Sequence, residues 1–530
     1  MKFKKLKICL VASIIPFTYN FADQNTVLAS DVGKHFILTL PKYSQTSEYN
    51  SWLEQTKPAG VMLTEPHMQN RSKTKEICKL LQDKAKDLGI YPLLISVDFE
   101  GGIVSRGADV NGFVSVPSPY KLAQLGKAEC YSAGKLIGHQ LDGINVDFAP
   151  SLDLFDPANY ILATRCFAAD SKSVVDCGLS FINGLLSEGV LPVIKHFPGL
   201  KSGKFDTHTD NVQIKLSDEE FEANVEPFRQ VLEQKIDVAV MVGHARYDQF
   251  GPDQASTNAN VVAWIKKHNS DALLITDDCS MQSFHRSPDK SMQLDYICRA
   301  AQKSIKNGFD LLIFSASPDD QIKMIKKLSE SSFDSKYDIR SKIKAIVQRL
   351  SLNVPSDIDE RRVSQELAKK VVSGNVAEIP ITNKVLVLSV DLNKIRPATS
   401  FQTLDDKASS KKKTLLMSLF ESEKYHVSEI MLDPMSADSI QDLSDIIYHS
   451  QFQNSDNVVL QTFFYGGGVW NKNQQEWLRL LKHYCKKLTI VSLGHPYEKT
   501  IIPDAQSIEL GSFHSSLINA AFDQLKKKLY

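Results

Sequence analysis

From Gly33 onward the chain alternates short apolar runs with longer amphipathic stretches. The short runs are Phe36–Leu40, Gly60–Leu63, Leu93–Val97, Ile144–Phe148, Leu191–Ile194, Val238–Val242, Ala272–Thr276 and Asp310–Phe314, and they read as strands. Between them, Lys73–Leu88, Glu129–Leu141, Ser173–Ser187, Asp218–Glu233 and Ile297–Asn307 carry helical patterns. Strand–helix alternation of this kind predicts parallel β-structure. Eight such strands over roughly 300 residues suit a (β/α)8 barrel, with a doubly wound sheet as the alternative. The polar residues favour the barrel. Asp98, Asp147, Lys195-His196, His244 and Asp277-Asp278 all stand at or just after strand ends. A barrel gathers every strand C-terminus on one face, so these groups would converge.

After a final helix over Ser335–Leu352, Asn353-Val354-Pro355 opens a connecting region, and Arg361–Val372 reads as a linker helix. A smaller α/β unit follows, with strands expected at Lys384–Val390, Ser428–Leu432, Val458–Phe464, Leu488–Leu493 and Ser507–Leu510. The expected division is a leader over 1–29, a catalytic barrel over 30–352, a linker over 353–382 and a C-terminal α/β domain over 383–530. Gly466-Gly467-Gly468 follows a strand but lacks both the Gly-Lys-Ser/Thr ending and the Rossmann spacing, so it reads as a plain turn.

Composition narrows the classes of partner. The chain has 530 residues, 42% of them hydrophobic, and Lys+Arg balance Asp+Glu at 62 each. No global field favours nucleic acid or an acidic membrane surface, which points to a small or neutral ligand. Met1–Lys7 is basic and Ile8–Phe17 is apolar, the pattern of a signal peptide cleaved after Ala22 or Ala29. The apolar run is short for a membrane span and contains Pro16. The expectation is an exported protein, periplasmic or secreted, with no stable membrane span once the leader is removed. Cys78, Cys130, Cys166, Cys177, Cys279, Cys298 and Cys485 then remain, scattered and without a C-x-x-C pair. That argues against a structural metal and against a disulfide scaffold.

The stretch Leu191–Asp210 concentrates the chemistry: an apolar run, Lys195-His196, a Pro-Gly turn pair, then Asp206-Thr207-His208. A carboxylate holding one imidazole nitrogen fixes the tautomer and leaves the other nitrogen to exchange a proton. Asp277 and Asp278 end an apolar strand. Successive strand residues point to opposite sides, so one faces the mouth and the other caps a helix or pairs with a base. Asp98 is followed by Phe99-Glu100-Gly101-Gly102, whose glycines permit a tight backbone. Arg106 and Arg165 are cations in βα loops, and His244 reads equally well as a core histidine. A zinc amidohydrolase would want an H-x-H pair early in the barrel, and the sequence has none there.

The ordered set VDFEGGIVSR (97–106), GINVDFAPSLDL (143–154), TRCFAAD (164–170), VIKHFPG (193–199), DTH (206–208), MVGHARY (241–247) and ITDDCSM (275–281) resembles glycoside hydrolase family 3. The nearest subgroup resembles β-N-acetylglucosaminidases acting on peptidoglycan fragments. The resemblance covers most of 33–350, and IVSLGHPYE (490–498) is similar to the family's second α/β domain. It implies Asp277 as nucleophile, Asp206 and His208 as the acid/base dyad, and Asp98, Arg106, Arg165, Lys195 and His196 as holders of a terminal N-acetylglucosamine. It implies a retaining hydrolase that needs no metal or organic cofactor. A phosphorylase and a non-catalytic sugar-binding barrel are the alternatives. Two departures stand out: Leu200-Lys201-Ser202 replaces the subgroup's H-G-D, and Ile103 stands where the family usually has Arg.

Overall fold

The computed structural model describes residues 32–526, apart from 43–44, 109–110, 158, 160–161, 201–211, 286, 288, 332–337, 354–356, 375–383, 391–413, 424, 434–437, 449, 463–468, 486, 494–500, 503–505 and 511–513. The leader over 1–29, the Asp206/His208 pair and the Gly466–Gly468 run lie outside the described residues.

Strands β1 (Phe36–Thr39), β2 (Gly60–Met62), β3 (Leu94–Val97), β4 (Val146–Asp147), β5 (Leu191–Phe197), β6 (Ala239–Val242), β7 (Leu273–Asp278) and β8 (Leu311–Phe314) form the barrel. Each pairs in parallel with its neighbour in the chain, and β8 closes on β1 through Phe36↔Leu312 and Leu38↔Phe314. The expected (β/α)8 barrel is therefore present, and the doubly wound alternative is not. Consecutive parallel strands require helical crossovers, and each intervening amphipathic stretch supplies one. These are α1 (Thr46–Thr56), α2 (Arg71–Asp87), α3 (Lys127–Gln140), α4 (Ser171–Ser187), α5 (Asp218–Glu233), α6 (Ala259–His268) and α7 (Gln293–Lys306), and α8 (Pro318–Glu330) follows the last strand. The start of α5 shows why the helices begin where they do. Ser217 accepts from the Glu220 amide while Glu220 reaches back to the Ser217 amide, a reciprocal capping box.

Alternate strand residues fill two packed layers. Ile37, Leu94, Val146, Val193, Met241, Ile275 and Ile313 are in one apolar cluster inside the barrel, while residues such as Leu38, Ile95, Ile194, Val240 and Leu274 belong to the larger cluster with the helices. After the barrel come α9 (Ile339–Leu350) and α10 (Glu360–Val371). The stretch read as a linker thus contains a helix, and that helix is tied to the barrel by Arg71–Glu360 at 2.7 Å and by Ser364 Oγ donating to the Ser115 carbonyl at 2.7 Å.

The second sheet comprises β9 (Ser373–Gly374), β10 (Lys384–Val390), β11 (His426–Leu432), β12 (Asn457–Thr462), β13 (Leu488–Ser492) and β14 (Gln506–Glu509), in the order β9-β14-β13-β12-β10-β11. Only β9 is antiparallel. Helices α11 (Leu415–Ser422), α12 (Ser439–Tyr448), α13 (Val469–Tyr484) and α14 (Ser515–Leu525) accompany it. Among the described residues no helix is long and apolar enough to cross a membrane.

Candidate active site

Asp98 directly follows β3, and the chain then folds into a short hairpin, Phe99–Gly101 against Val104–Ser105. The Arg106 amide donates to the Asp98 carbonyl at 3.1 Å and closes the hairpin's base. At the tip, Gly101 and Gly102 have φ of 86° and 64°. A Cβ at Gly102 would lie 2.5 Å from the Ser118 Cβ, so both the conformation and the space require glycine.

The hairpin brings its acids to cations from two other strand ends. Lys195, on β5, places Nζ 2.9 Å from Asp98 Oδ1 and 2.7 Å from Glu100 Oε1. Arg165, in the one-turn helix Ala163–Arg165, grips Glu100 with two parallel bonds of 2.8 and 2.7 Å. Arg106 lies 3.8 Å from the other Asp98 oxygen. The Glu100 side chain is fully buried, whereas Asp98 keeps 20% of its side-chain surface exposed. Burial alone would raise the Glu100 carboxyl, but Arg165 and Lys195 outweigh it and hold it at about 2. Asp98 is lowered in the same way: Lys195 and Arg106 overcome its desolvation. Lys195 is raised, because Asp98 and Glu100 overcome its burial.

Asp147 lies under this network at the end of β4. Its Oδ1 accepts from the Phe99 amide at 2.9 Å, while Oδ2 is buried without a hydrogen-bond partner. Burial pushes this carboxyl well above the usual range, which favours its protonated form.

His196 follows Lys195 and is held by Asp153. The imidazole Nδ1 and Asp153 Oδ2 are 2.7 Å apart, and the His196 and Leu200 amides donate to the two Asp153 oxygens at 3.1 and 2.8 Å. The pairing commits Nδ1 and leaves Nε2 as the nitrogen for a ligand. Burial would raise Asp153, but His196 leads a set of partners that lowers it.

Asp277 and Asp278 end β7, where the pairing with β8 shifts register. The structure separates their tasks. Asp278 Oδ1 accepts from the Ser280 amide at 2.9 Å and the Ser315 amide at 3.0 Å, which fastens the β7 and β8 exits together. Asp277 Oδ1 accepts from the Asp278 amide at 2.8 Å, and its side chain is at the mouth end of the strand. His244 is a core histidine: Ser256 Oγ lies 2.7 Å from Nδ1, and Nε2 donates to the Asp278 carbonyl at 3.0 Å. It braces the Asp277-Asp278 turn from behind.

The structure therefore joins Asp98, Arg106, Arg165 and Lys195 in one network, with His196 beside Lys195 on β5 and Asp277 near the end of β7 on the same barrel face. Among the described residues no group of three or more His, Cys, Asp or Glu side chains is placed to hold a metal ion.

The family model for the glycosyl hydrolase family 3 N terminal domain matches residues 31–350. The chain belongs to glycosyl hydrolase family 3. A β-hexosaminidase of Haemophilus influenzae is 28% identical over 315 residues, 57% of this chain and 86% of that protein. The β-hexosaminidase LpqI of Mycobacterium tuberculosis is 37% identical over 160 residues, 29% of this chain and 41% of its own. In fold, this family 3 chain is similar to a family 3 β-N-acetylglucosaminidase from Paenibacillus sp. str. FPU-7, with TM-score 0.78, 19% identity, and coverage of 95% of this chain and 97% of that one. It is also similar in fold to the β-glucoside phosphorylase BglX, with TM-score 0.70, 17% identity, and coverage of 97% and 96%. The protein is thus a glycoside hydrolase by family.

Sequence reasoning passed over two members of this family 3 site. Glu100 enters the sequence reading only as part of the tight Phe99–Gly102 segment, yet it joins Lys195 to Arg165. Asp153 was not singled out, yet it orients His196. Each left a sequence signal: a carboxylate within an otherwise apolar segment, FEGGIV or APSLDLF, must find a buried partner.

Proposed function

We propose that this protein is an exo-acting β-N-acetylglucosaminidase that releases terminal β-linked N-acetylglucosamine from peptidoglycan-derived or related glycans, with retention of configuration. The observation that carries the reading is the charged network at the barrel mouth. Asp98 is held by Lys195 and Arg106 with part of its surface open, so a rigid carboxylate is offered to sugar hydroxyls at no ordering cost. The β-hexosaminidase names of the relatives support the same sugar.

In this mechanism the Asp277 carboxylate attacks the anomeric carbon as the glycosidic C–O bond breaks. His208, oriented by Asp206, gives its proton to the leaving oxygen. Water then gives a proton to His208 and attacks the anomeric carbon, and Asp277 leaves. Two displacements restore the starting configuration. The leader over Met1–Ala29 supports export, and N-terminal sequencing should begin near Asp23 or Ser30.

The test is hydrolysis of an aryl β-N-acetylglucosaminide beside the glucoside and the N-acetylgalactosaminide, each with and without phosphate. Free N-acetylglucosamine is the expected product in both buffers. Sugar 1-phosphate formed only with phosphate would establish the phosphorylase instead, and a preference for the glucoside would overturn the sugar assignment.

A further inference from the structure

The hairpin that carries Asp98, Glu100 and Arg106 is fastened at its tip from two sides, by Val116 of the barrel and by the C-terminal sheet domain. Its base is held within the barrel, by Phe99 N–H to Asp147 and Arg106 N–H to the Asp98 carbonyl. At the tip, the Gly102 amide donates to the Val116 carbonyl at 2.8 Å. Gly102 is buried, and so is Ile103 beside it, so the Gly102 carbonyl is cut off from bulk water and needs a partner. His514 Nε2 supplies one at 2.6 Å, from a residue 412 positions away in the chain.

His514 is itself well fixed. It is the N-cap of α14, its carbonyl accepts from the Leu517 and Ile518 amides at 3.1 Å each, and it is 3% exposed. Its neighbours grip the same part of the barrel. Ser516 Oγ and Ser115 Oγ are 2.5 Å apart, and Glu509, at the end of β14, lies 3.4 Å from the buried Lys121 ammonium.

We propose that His514 is a positioning residue for the sugar pocket. Its Nε2–H holds the Gly102 carbonyl and thereby sets the hairpin that presents Asp98 and Arg106, so the C-terminal domain controls affinity for the terminal sugar. The role rests on the N-acetylglucosaminidase reading for its substrate, not for its geometry. Without the donor, the tip has a buried carbonyl to satisfy, and the cheapest relief is to move the tip toward water. Because the hairpin is short, that displacement reaches its base, where Asp98 and Arg106 meet.

The experiment compares His514→Ala, His514→Gln and Gln524→Ala in the full chain. Glutamine can place an N–H donor near the position of Nε2. Gln524 ties α14 to the Val372 carbonyl at 2.7 Å, so Gln524→Ala loosens the same helix without touching the hairpin. Expected for His514→Ala is a KM for the aryl β-N-acetylglucosaminide raised about tenfold, with kcat within about threefold of wild type. His514→Gln should restore KM, and Gln524→Ala should leave it unchanged at a comparable loss of Tm. Amide exchange in the peptide spanning 99–106 should quicken in His514→Ala alone. An unchanged KM, or an equal rise in Gln524→Ala, overturns the proposal. If the wild-type chain hydrolyses no N-acetylglucosaminide, the substrate reading falls by itself; unchanged exchange at 99–106 in His514→Ala would then overturn the clamp as well. Should His514→Ala not fold, His514→Asn carries the same comparison, its amide being one methylene short of the carbonyl.

Discussion

Glu100 has no exposed side-chain surface, yet it is charged because Lys195 and Arg165 are charged. Glu100→Gln keeps the shape and removes the charge, which leaves two buried cations partly uncompensated. The expected cost is roughly 3 kcal/mol in urea unfolding. Its carboxyl is depressed to about 2 from an ordinary 4.5, so its contribution is complete above the unfolded value and fades as pH falls from about 4.5 toward 2. His35 acts in a higher window. Burial holds its imidazole at about 4 against an ordinary 6.5, with Nδ1 bonded to the Asp310 carbonyl at 3.0 Å. The unfolded chain therefore binds an extra proton between those values. Stability is complete above pH 6.5 and falls as pH drops to 4, by roughly 3 kcal/mol. Thermal melts across pH 4 to 6.5 should show a shallower slope for His35→Gln than for wild type. For the chemistry itself, Asp277→Ala should lower kcat by several orders of magnitude. His208→Ala should harm a natural disaccharide far more than an aryl glycoside, since a nitrophenolate departs with little help from a proton. Equal harm to both would remove His208 from the acid/base role.

At the scale of elements, α3 and α4 approach closely through glycine. A Cβ at Gly134 would lie 2.1 Å from the Phe181 carbonyl oxygen, and one at Gly184 would lie 2.4 Å from the Tyr131 carbonyl oxygen. Gly134→Ala must push the helices apart and should cost about 1–3 kcal/mol, read as a lower urea midpoint without a changed m-value. No periodicity marks these glycines as contacts, because the pattern shows only which face is apolar. The barrel strands, by contrast, were legible as buried apolar runs with polar exits. Two elements departed from that reading. β5 continues through Lys195-His196 to Phe197, so the site residues are part of the strand, with a register shift against β6 between Ile194 and Phe197. The segment after Asp98 was read as a tight turn and is a hairpin. Its paired residues are too few to leave an alternation, and the partner groups that stabilise it come from β4, from Val116 and from the other domain.

At the scale of the molecule, one hydrophobic cluster runs from the barrel's helices into the second sheet, including Leu122, Leu367, Val371, Leu517 and Phe522. The two units are packed as well as connected. A chain ending at residue 352 loses α10, β14 and α14 together and exposes Ile103, Ser115 and Lys121 of the barrel. It should melt roughly 10 °C lower than the full chain and bind a hydrophobic dye that the full chain does not. A truncated barrel with the full chain's melting temperature would show that the second sheet adds nothing to its stability.

The barrel, the second α/β unit and the strand ends that bear the chemistry are all legible along the chain. Hydrophobic period and the position of polar residues are local properties, and parallel alternation leaves few topologies open. Strand alternation narrowed Asp277 and Asp278 to one mouth residue and one capping residue, and the family resemblance named Asp277 as the nucleophile. The tertiary structure adds what the capping residue holds: Asp278 accepts from the amides of Ser280 and of Ser315 beyond the next strand. Only the fold could reveal Asp153 behind His196, Glu100 between Lys195 and Arg165, and His514 on Gly102. Each of these pairings joins residues far apart in the chain, and what selects the partner is the need of a buried polar group for a complement, which no local pattern encodes.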